Sequence, residues 1–130
     1  MEAALRLRER VFSGEQGVRQ EADRDGRDPE AIHVVALEDG RVVGTCRLVF
    51  QGDVARLGRM AVERDLRGRG LGAAILREAE RTALATGANR ISLHAQLRAR
   101  SLYERDGYLQ HGDEFEEEGI PHVAMEKRIA

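Results

Sequence analysis

The first half of the chain carries three apolar stretches that predict three successive antiparallel strands. Residues 32–37 form an apolar run interrupted by one histidine, and residues 42–50 and 54–62 form the next two runs. Asp39-Gly40, between the first two runs, is a strong signal for a two-residue hairpin turn. Gly58 interrupts the third run, which predicts a β-bulge or a close backbone approach at that position.

Other segments place apolar residues at helical spacing. Residues 3–12 predict a short amphipathic helix, residues 71–86 a longer one with a single apolar stripe, and residues 98–105 a brief one. Gly87 is well placed to end the long helix. Residues 21–30 are acidic and contain glycine, so they predict a long loop.

The second half of the chain predicts further strands. Residues 91–95 alternate apolar with polar side chains and follow a helix, so this strand must cross over and lie parallel to the strand before that helix. Tyr108-Leu109 begins another strand, and residues 123–127 form the last one after a loop containing Gly112, Gly119 and Pro121. The pattern predicts an α/β (α+β) fold, with a mixed, mostly antiparallel twisted sheet flanked by helices in a single domain over residues 1–130.

Composition narrows the class of protein. A chain of 130 residues with 42% apolar and 34% charged residues is typical of one soluble globular domain. The net charge of -2 argues against a dedicated nucleic-acid binder. Cys46 is the single cysteine, no apolar run could span a membrane, and no signal-peptide pattern is present, so we expect a cytoplasmic protein.

The chemistry-bearing stretch is the glycine-rich turn at residues 67–72, Arg-Gly-Arg-Gly-Leu-Gly. It lies between a predicted strand and the start of a predicted helix. Glycines let several backbone N–H groups converge on one anion, and the helix dipole favours negative charge at the same point. The turn therefore predicts either a phosphate site or simply a tight, solvated basic turn.

Two common phosphate loops do not fit this turn. No Gly-Lys-Ser or Gly-Lys-Thr follows the glycines, which disfavours a Walker-type loop. Position 73 is alanine where a dinucleotide fingerprint needs its third glycine, and the strand at 91–95 does not end in an acidic residue.

Taken together, these features resemble those of GNAT-superfamily N-acetyltransferases over most of the chain. The acetyl-CoA motif of that family is matched by Arg67, Gly70 and Gly72, after a strand and at the start of a helix. A later family pattern is matched by Gln96, Ala99, Tyr103, Gly107 and Tyr108, with glutamine in place of the common asparagine and Tyr108 in place of the common phenylalanine.

A narrower resemblance is to the ElaA-like and YjcF-like branch. Its matches fall in the same order along the chain, from Leu7-Arg8 and Glu15-Gln16 through His94-Ala95-Gln96 to residues 119–122, Gly-Ile-Pro-His. Relatives usually have a strand before the first helix, whereas this sequence starts almost at the helix, so we expect a different sheet edge or a recorded start that is internal.

The resemblance implies acetyl-CoA as co-substrate and direct attack of a primary amine on its thioester in a ternary complex. It implies that turn amides hold the pyrophosphate and that the preceding strand pairs with the pantetheine arm, where the two parallel strands splay apart. Tyr103 matches the tyrosine that protonates the leaving thiolate. The implied cofactor residues are Met60, Ala61, Val62, Arg67, Gly68, Arg69, Gly70, Leu71, Gly72, Ala73, Gln96 and Tyr103.

The sequence leaves the general base open. Glu15, His33, His94 and His122 are candidates, since carboxylate and imidazole can both take a proton at neutral pH, and each could instead be structural. Histidine spacing does not indicate a metal, and we expect none. Cys46 is expected to be a buried small hydrophobe.

Other functions stay open as well. A non-catalytic acyl-CoA-binding module would use the same turn but would not need Tyr103, and a basic patch of Arg64, Arg67 and Arg69 could bind nucleic acid. We expect a small-molecule or peptide amine as partner, with neither nucleic acid nor membrane. The acidic runs 21–30 and 114–118 could attract a cationic acceptor or be solvated surface. Relatives suggest a homodimer.

Overall fold

The computed structural model describes residues 31–68 and 70–130. Within them the elements follow in the order β1 (Ile32–Glu38), β2 (Arg41–Gln51), β3 (Val54–Val62), α1 (Leu71–Ala85), β4 (Arg90–Gln96), α2 (Arg100–Arg105), β5 (Leu109–Glu117) and β6 (Ile120–Arg128). Single turns of 3₁₀ helix, Arg64–Leu66 and Leu97–Ala99, precede α1 and α2. The predictions of a helix at 3–12, a loop at 21–30 and a missing first strand lie outside the described residues.

The described strands form one mixed sheet. Their spatial order is β1-β2-β3-β4-β6-β5. Only β3 and β4 pair in parallel, joined through α1, and every other neighbouring pair is antiparallel. The prediction of a mixed, mostly antiparallel sheet flanked by helices is confirmed.

Turn chemistry sets the first hairpin and the end of the long helix, both as predicted. Asp39 and Gly40 have φ of 51° and 77°, the paired positive values of a type I′ turn. Gly87 has φ of 102°, and the N–H of Ala88 donates to the Ala83 carbonyl at 3.0 Å. This is the Schellman arrangement, which satisfies a carbonyl left over at the C-terminus of α1.

A β-bulge interrupts β3 at the predicted place. Thr45 pairs with Ala61 and Arg47 with Gly58, so two residues of β3, Arg59 and Met60, lie opposite one residue of β2. The positive φ of the bulge, 55°, falls on Arg59 and not on the glycine before it. A bulge bends its strand and increases the local twist.

The core lies between α1 and one face of the sheet. The buried stripe of α1 consists of Ile75, Leu76, Ala79 and Ala83, and it belongs to the same cluster as Leu48 and Leu57 of the sheet. Helix and sheet approach closely at Gly44, where an added Cβ would lie 2.6 Å from Cδ1 of Ile75. Cys46 is 1% exposed within this core, as predicted.

The C-terminal hairpin corrects one prediction. The loop expected around Gly112 and Gly119 is instead strand β5 and a tight turn, in which Glu118 and Gly119 have φ of 52° and 74°. β5 is an edge strand whose only partly buried residue is Phe115, so it lacks the apolar alternation that predicts a strand. The register shift between His111 and Phe115 includes Gly112, with φ of 86°.

Candidate active site

A cleft opens where the two parallel strands part. The pairing of β3 with β4 ends at Leu57 and Leu93, next to the bulge, whereas β4 stays paired with β6 as far as Gln96 and His122. The divergence predicted for these strands is therefore confirmed. A cleft of about 1110 Å³ lies along the parted ends and reaches the start of α1.

The glycine-rich turn forms one end of this cleft. Gly68 and Gly70 have φ of 82° and 79°, and Gly70 is the N-cap of α1 in the left-handed conformation. The N–H of Ala74 bonds back to the Gly70 carbonyl at 3.1 Å, and no side chain caps the helix. The N–H groups of Leu71, Gly72 and Ala73 come before this first helical bond, so they have no acceptor within the helix. An anion at this point would meet them together with the positive end of the helix dipole.

Arg67 is anchored to the strand before the turn. Its Nε donates to the Val62 carbonyl at 3.0 Å, so one acceptor position of that carbonyl is already filled. The guanidinium of Arg67 is therefore tied to β3.

The structure brings most of the predicted site residues together along the cleft. Those that line it are Met60, Ala61, Val62, Arg67, Gly68, Gly70, Leu71, Gly72, Ala73, His94, Gln96, Tyr103 and His122. His33 lies on β1, opposite Arg47, and does not line the cleft. Glu15 and Arg69 lie outside the described residues. The roles assigned to all of these side chains stay predictions.

Tyr103 lies in the middle of α2 and is 5% exposed. Burial, and then the nearby Cys46 thiol, raise the pKa of the phenol well above its ordinary range. Its hydroxyl has no hydrogen-bond partner within residues 31–68 and 70–130, although the side chain lines the cleft. The phenol therefore stays protonated and has a proton that it can donate. Burial also raises the pKa of Cys46 to about 12, which leaves it a thiol and a poor nucleophile.

Two histidines share one carboxylate elsewhere in the cleft. His122 is 6% exposed, and its Nδ1 lies 2.7 Å from the Ile120 carbonyl, while its Nε2 lies 3.7 Å from Oε2 of Glu117. His94 approaches the other oxygen of Glu117 with Nδ1 at 2.9 Å. Phe115 packs edge-on against the His94 ring and nearly parallel to that of His122, with ring centroids 5.0 and 6.0 Å away.

Sequence reasoning did not single out Arg47, and it included Glu117 only as part of the acidic run 114–118. Arg47 is 6% exposed and lies opposite Gly58, and that glycine beside the bulge was the available signal. Glu117 was hidden in an acidic run. It lines the cleft with both histidines because β5 pairs with β6, and β6 with β4.

Comparison with known proteins identifies the family. The family model described as "Acetyltransferase (GNAT) domain" matches residues 3–129. The chain belongs to the GNAT acetyltransferase family. Membership in this family supports acetyltransferase activity in general terms. The parting strands and the glycine-rich turn are thus the structural counterparts of the motifs found in the sequence.

The resemblance to the ElaA-like and YjcF-like branch is confirmed. The chain is 34% identical to the Bacillus subtilis protein named "Uncharacterized N-acetyltransferase YjcF", covering 95% of this chain and 89% of that protein. It is similar to the crystal structure of Escherichia coli ElaA with a TM-score of 0.89, at 26% identity over 98% of this chain and 89% of that one. An aminoglycoside 6'-N-acetyltransferase crystallised with coenzyme A shares the fold, with a TM-score of 0.80 at 18% identity over 99% and 90% of the two chains.

The described residues contain neither a metal-binding cluster nor a membrane-spanning helix. No group of three or more His, Cys, Asp or Glu side chains within residues 31–68 and 70–130 is arranged to hold a metal ion. Over the same ranges, no helix combines the length and the apolar character needed to cross a bilayer.

Proposed function

We propose that this GNAT protein transfers the acetyl group of acetyl-CoA to a primary amine by direct attack in a ternary complex. The observation that carries the proposal is the single cleft that joins the turn before α1 to Tyr103 and His122. A coenzyme A thioester needs a phosphate cradle at one end and proton-transfer groups at the other.

The residues of the turn fit the phosphate end of acetyl-CoA. No atom of the described residues lies within 4 Å of the position that a Cβ would take on Gly68 or Gly70, so these residues leave the backbone there open to a ligand. The N–H groups at the start of α1 would hold the pyrophosphate. Met60 and Ala61, on the part of β3 no longer paired with β4, would bond the pantetheine arm as a neighbouring strand does.

The chain's own residues then perform the proton transfers. Acetyl-CoA supplies an acyl group activated as a thioester. Tyr103, neutral because it is buried, donates its proton to the leaving sulfur. Among the candidate bases, His122 is the one best suited by its surroundings. Its Nδ1 donates to the Ile120 carbonyl, which leaves Nε2 to accept the proton of the amine.

The acceptor is a small-molecule or peptide amine, and we propose that the protein works in the cytoplasm as a homodimer. The alternative, an acyl-CoA-binding module without turnover, shares the phosphate end of the cleft. The two differ in whether addition of an amine releases free thiol.

Calorimetric titration with acetyl-CoA tests the site. Glu replaces Gly70 in one variant, which places bulk and negative charge in the turn, and it replaces Gly40 in the matched control. Gly40 has nearly the same φ, 77°, and equally open surroundings, but it lies in the β1–β2 turn and not in the cleft. We expect Gly70→Glu to abolish binding and Gly40→Glu to retain it. Equal binding by wild type and Gly70→Glu would refute the assigned site.

A further inference from the structure

His122 and Glu117 present two hydrogen-bond acceptors to each other. The carbonyl of Ile120 can only accept, so Nδ1 of His122 carries the hydrogen in their 2.7 Å contact. In the neutral ring Nε2 is then an acceptor, and it faces Oε2 of Glu117 at 3.7 Å. A carboxylate also only accepts. With the ring neutral, a bound donor would hydrogen-bond to both atoms.

His94 fixes which oxygen of Glu117 is available. Its Nδ1 lies 2.9 Å from Oε1 and donates to it, because the carboxylate cannot donate. Oε2 is left for His122 and for the cleft. The side chain of His122 is 8% exposed and that of Glu117 is 47% exposed, so the histidine nitrogen is the deeper of the two acceptors and the carboxylate is the more accessible one.

We propose that Nε2 of His122 and Oε2 of Glu117 together bind the ammonium group of the acceptor amine, which makes Glu117 a binding residue for the acceptor. The proposal rests on the proposed function. An ammonium group offers three N–H donors and a positive charge. One N–H donates to each acceptor, and the carboxylate balances the charge. Phe115 packs against the rings of both His94 and His122 beside this pair.

The same pair of residues makes the amine nucleophilic. Nε2 of His122 takes one proton as an N–H bond of the ammonium breaks, and the positive charge passes to the imidazolium beside Glu117. The neutral amine keeps the electron pair that forms the new C–N bond while the C–S bond breaks. As the C–N bond forms, the amine nitrogen loses a second proton. This proton goes to the oxygen of Tyr103 and replaces the one that Tyr103 gives to sulfur. The products are an amide, a thiol and one proton, which leaves from His122 to solvent.

Propylammonium chloride is a suitable probe, with 1-propanol as its uncharged counterpart. The histidine ring resonances of the whole protein are followed by NMR during titration with each. We expect propylammonium to shift the His122 and His94 signals saturably and propanol to leave them in place. Equal effects of the two probes, or no saturable shift, would overturn the proposal.

Two charge-matched variants locate the site. Glu117→Gln removes the carboxylate but keeps the size of the side chain, and Glu116→Gln makes the same change on an exposed neighbour outside the cleft lining. We expect propylammonium affinity to fall about tenfold in Glu117→Gln and to change less than about twofold in Glu116→Gln. An equal loss in both would mean that only overall charge matters, and the proposal would fail.

Titration of the same samples with acetyl-CoA separates the two proposals. Glu117→Gln is expected to bind acetyl-CoA like wild type, which also shows that it is folded. If wild type binds propylammonium as expected but not acetyl-CoA, the acetyltransferase function falls and the ammonium site stands. If acetyl-CoA binds and propylammonium does not, the ammonium site falls alone.

Discussion

Tyr103 and Tyr108 pack edge to face, with ring centroids 5.8 Å apart, but their hydroxyl groups meet different surroundings. The hydroxyl of Tyr108 donates to Oε2 of Glu80 at 2.9 Å. That of Tyr103 belongs to a cleft-lining side chain and finds no such partner in the described part of the chain. Burial is the first cause that raises the pKa of each phenol, so both stay protonated. The hydroxyl of Tyr108 is therefore held in a hydrogen bond, whereas that of Tyr103 is left to donate to a bound molecule.

This difference makes Tyr108→Phe a matched control for Tyr103→Phe. We expect Tyr103→Phe to lower kcat by roughly 10²-fold with acetyl-CoA affinity nearly unchanged, because it removes a proton donor and little packing. Tyr108→Phe should keep turnover and lose about 1 kcal/mol of unfolding free energy with its hydrogen bond. Thiol release measures kcat, calorimetry measures the affinity for acetyl-CoA, and denaturant unfolding measures the free energy of unfolding. An unaffected rate in Tyr103→Phe would remove this residue from catalysis.

His122→Gln tests the general base. It removes Nε2, so we expect kcat to fall by about 10²- to 10⁴-fold while acetyl-CoA still binds. His111→Gln makes the same replacement on an exposed residue of β5 outside the main cleft and should leave the rate unchanged. Turnover by His122→Gln at the wild-type rate would return the role of general base to Glu15 or His94.

Gly44 tests the contact between α1 and the sheet. A Cβ on Gly44 would lie 2.6 Å from Cδ1 of Ile75, so Gly44→Ala should lower the unfolding free energy by about 1–3 kcal/mol. Ile75→Val removes that Cδ1 and alone costs about 0.5–1.5 kcal/mol. The double variant should be more stable than the sum of the two losses implies, because the valine makes room for the alanine. Simple additivity in urea unfolding would contradict this contact.

Lys127 joins two carboxylates from different helical segments. Its Nζ lies 3.1 Å from Glu80 and 3.2 Å from Asp106, and all three side chains are at most 26% exposed. Lys127→Met should therefore lower the unfolding free energy by roughly 1.5–3 kcal/mol at neutral pH. Arg90→Met is the control, since the 3.9 Å pair of Arg90 with Glu126 is about 45% exposed at both ends and should be worth less than about 1 kcal/mol.

The loss in Lys127→Met should depend on pH. Burial raises the pKa of Glu80; for Asp106 burial acts in the same direction, but hydrogen bonds from Glu80 and Lys127 outweigh it and lower the pKa. Asp106 thus stabilises the fold above its ordinary pKa, and this contribution disappears as pH falls through its lower folded value. The pKa of Lys127 is raised by the same two carboxylates, against the effect of its own burial, so its contribution is present below its ordinary value of 10.5 and disappears as pH rises through the higher folded value. The difference from wild type should be largest near neutrality and shrink toward acid, and a loss independent of pH would refute the charge pairing.

The parts of the fold that sequence predicted well are those that depend on local chemistry. The meander and α1 were placed to within one residue because apolar pattern, a type I′ turn at Asp39-Gly40 and a glycine after the helix all act over a few residues. The glycine-rich turn was found for the same reason. Its residues line one cleft with Tyr103 because β4 and the short helix after it follow α1 directly in the chain.

The parts that were missed depend on pairing between distant segments. β5 has almost no buried face, so only its ladder with β6 makes it a strand. Glu117 resembles a solvated surface residue in sequence, and its contact with His94 follows from the order β4-β6-β5, which no local pattern encodes. For His33, sequence offered the right chemistry for a base, but the residue lies on β1, outside the cleft lining.

The bulge in β3 makes the cleft depend on the number of residues in that strand. Gly58 pairs with Arg47 of β2, and Ala61 pairs with Thr45. Two residues lie between Gly58 and Ala61, whereas only one lies between their partners. Loss of Arg59 would leave both pairings in register and turn β3 into a regular strand, without the bend that accompanies its departure from β4. A substitution in β3 would change a side chain that lines the cleft. Deletion of one residue would instead change how far β3 separates from β4, and so whether the cleft forms.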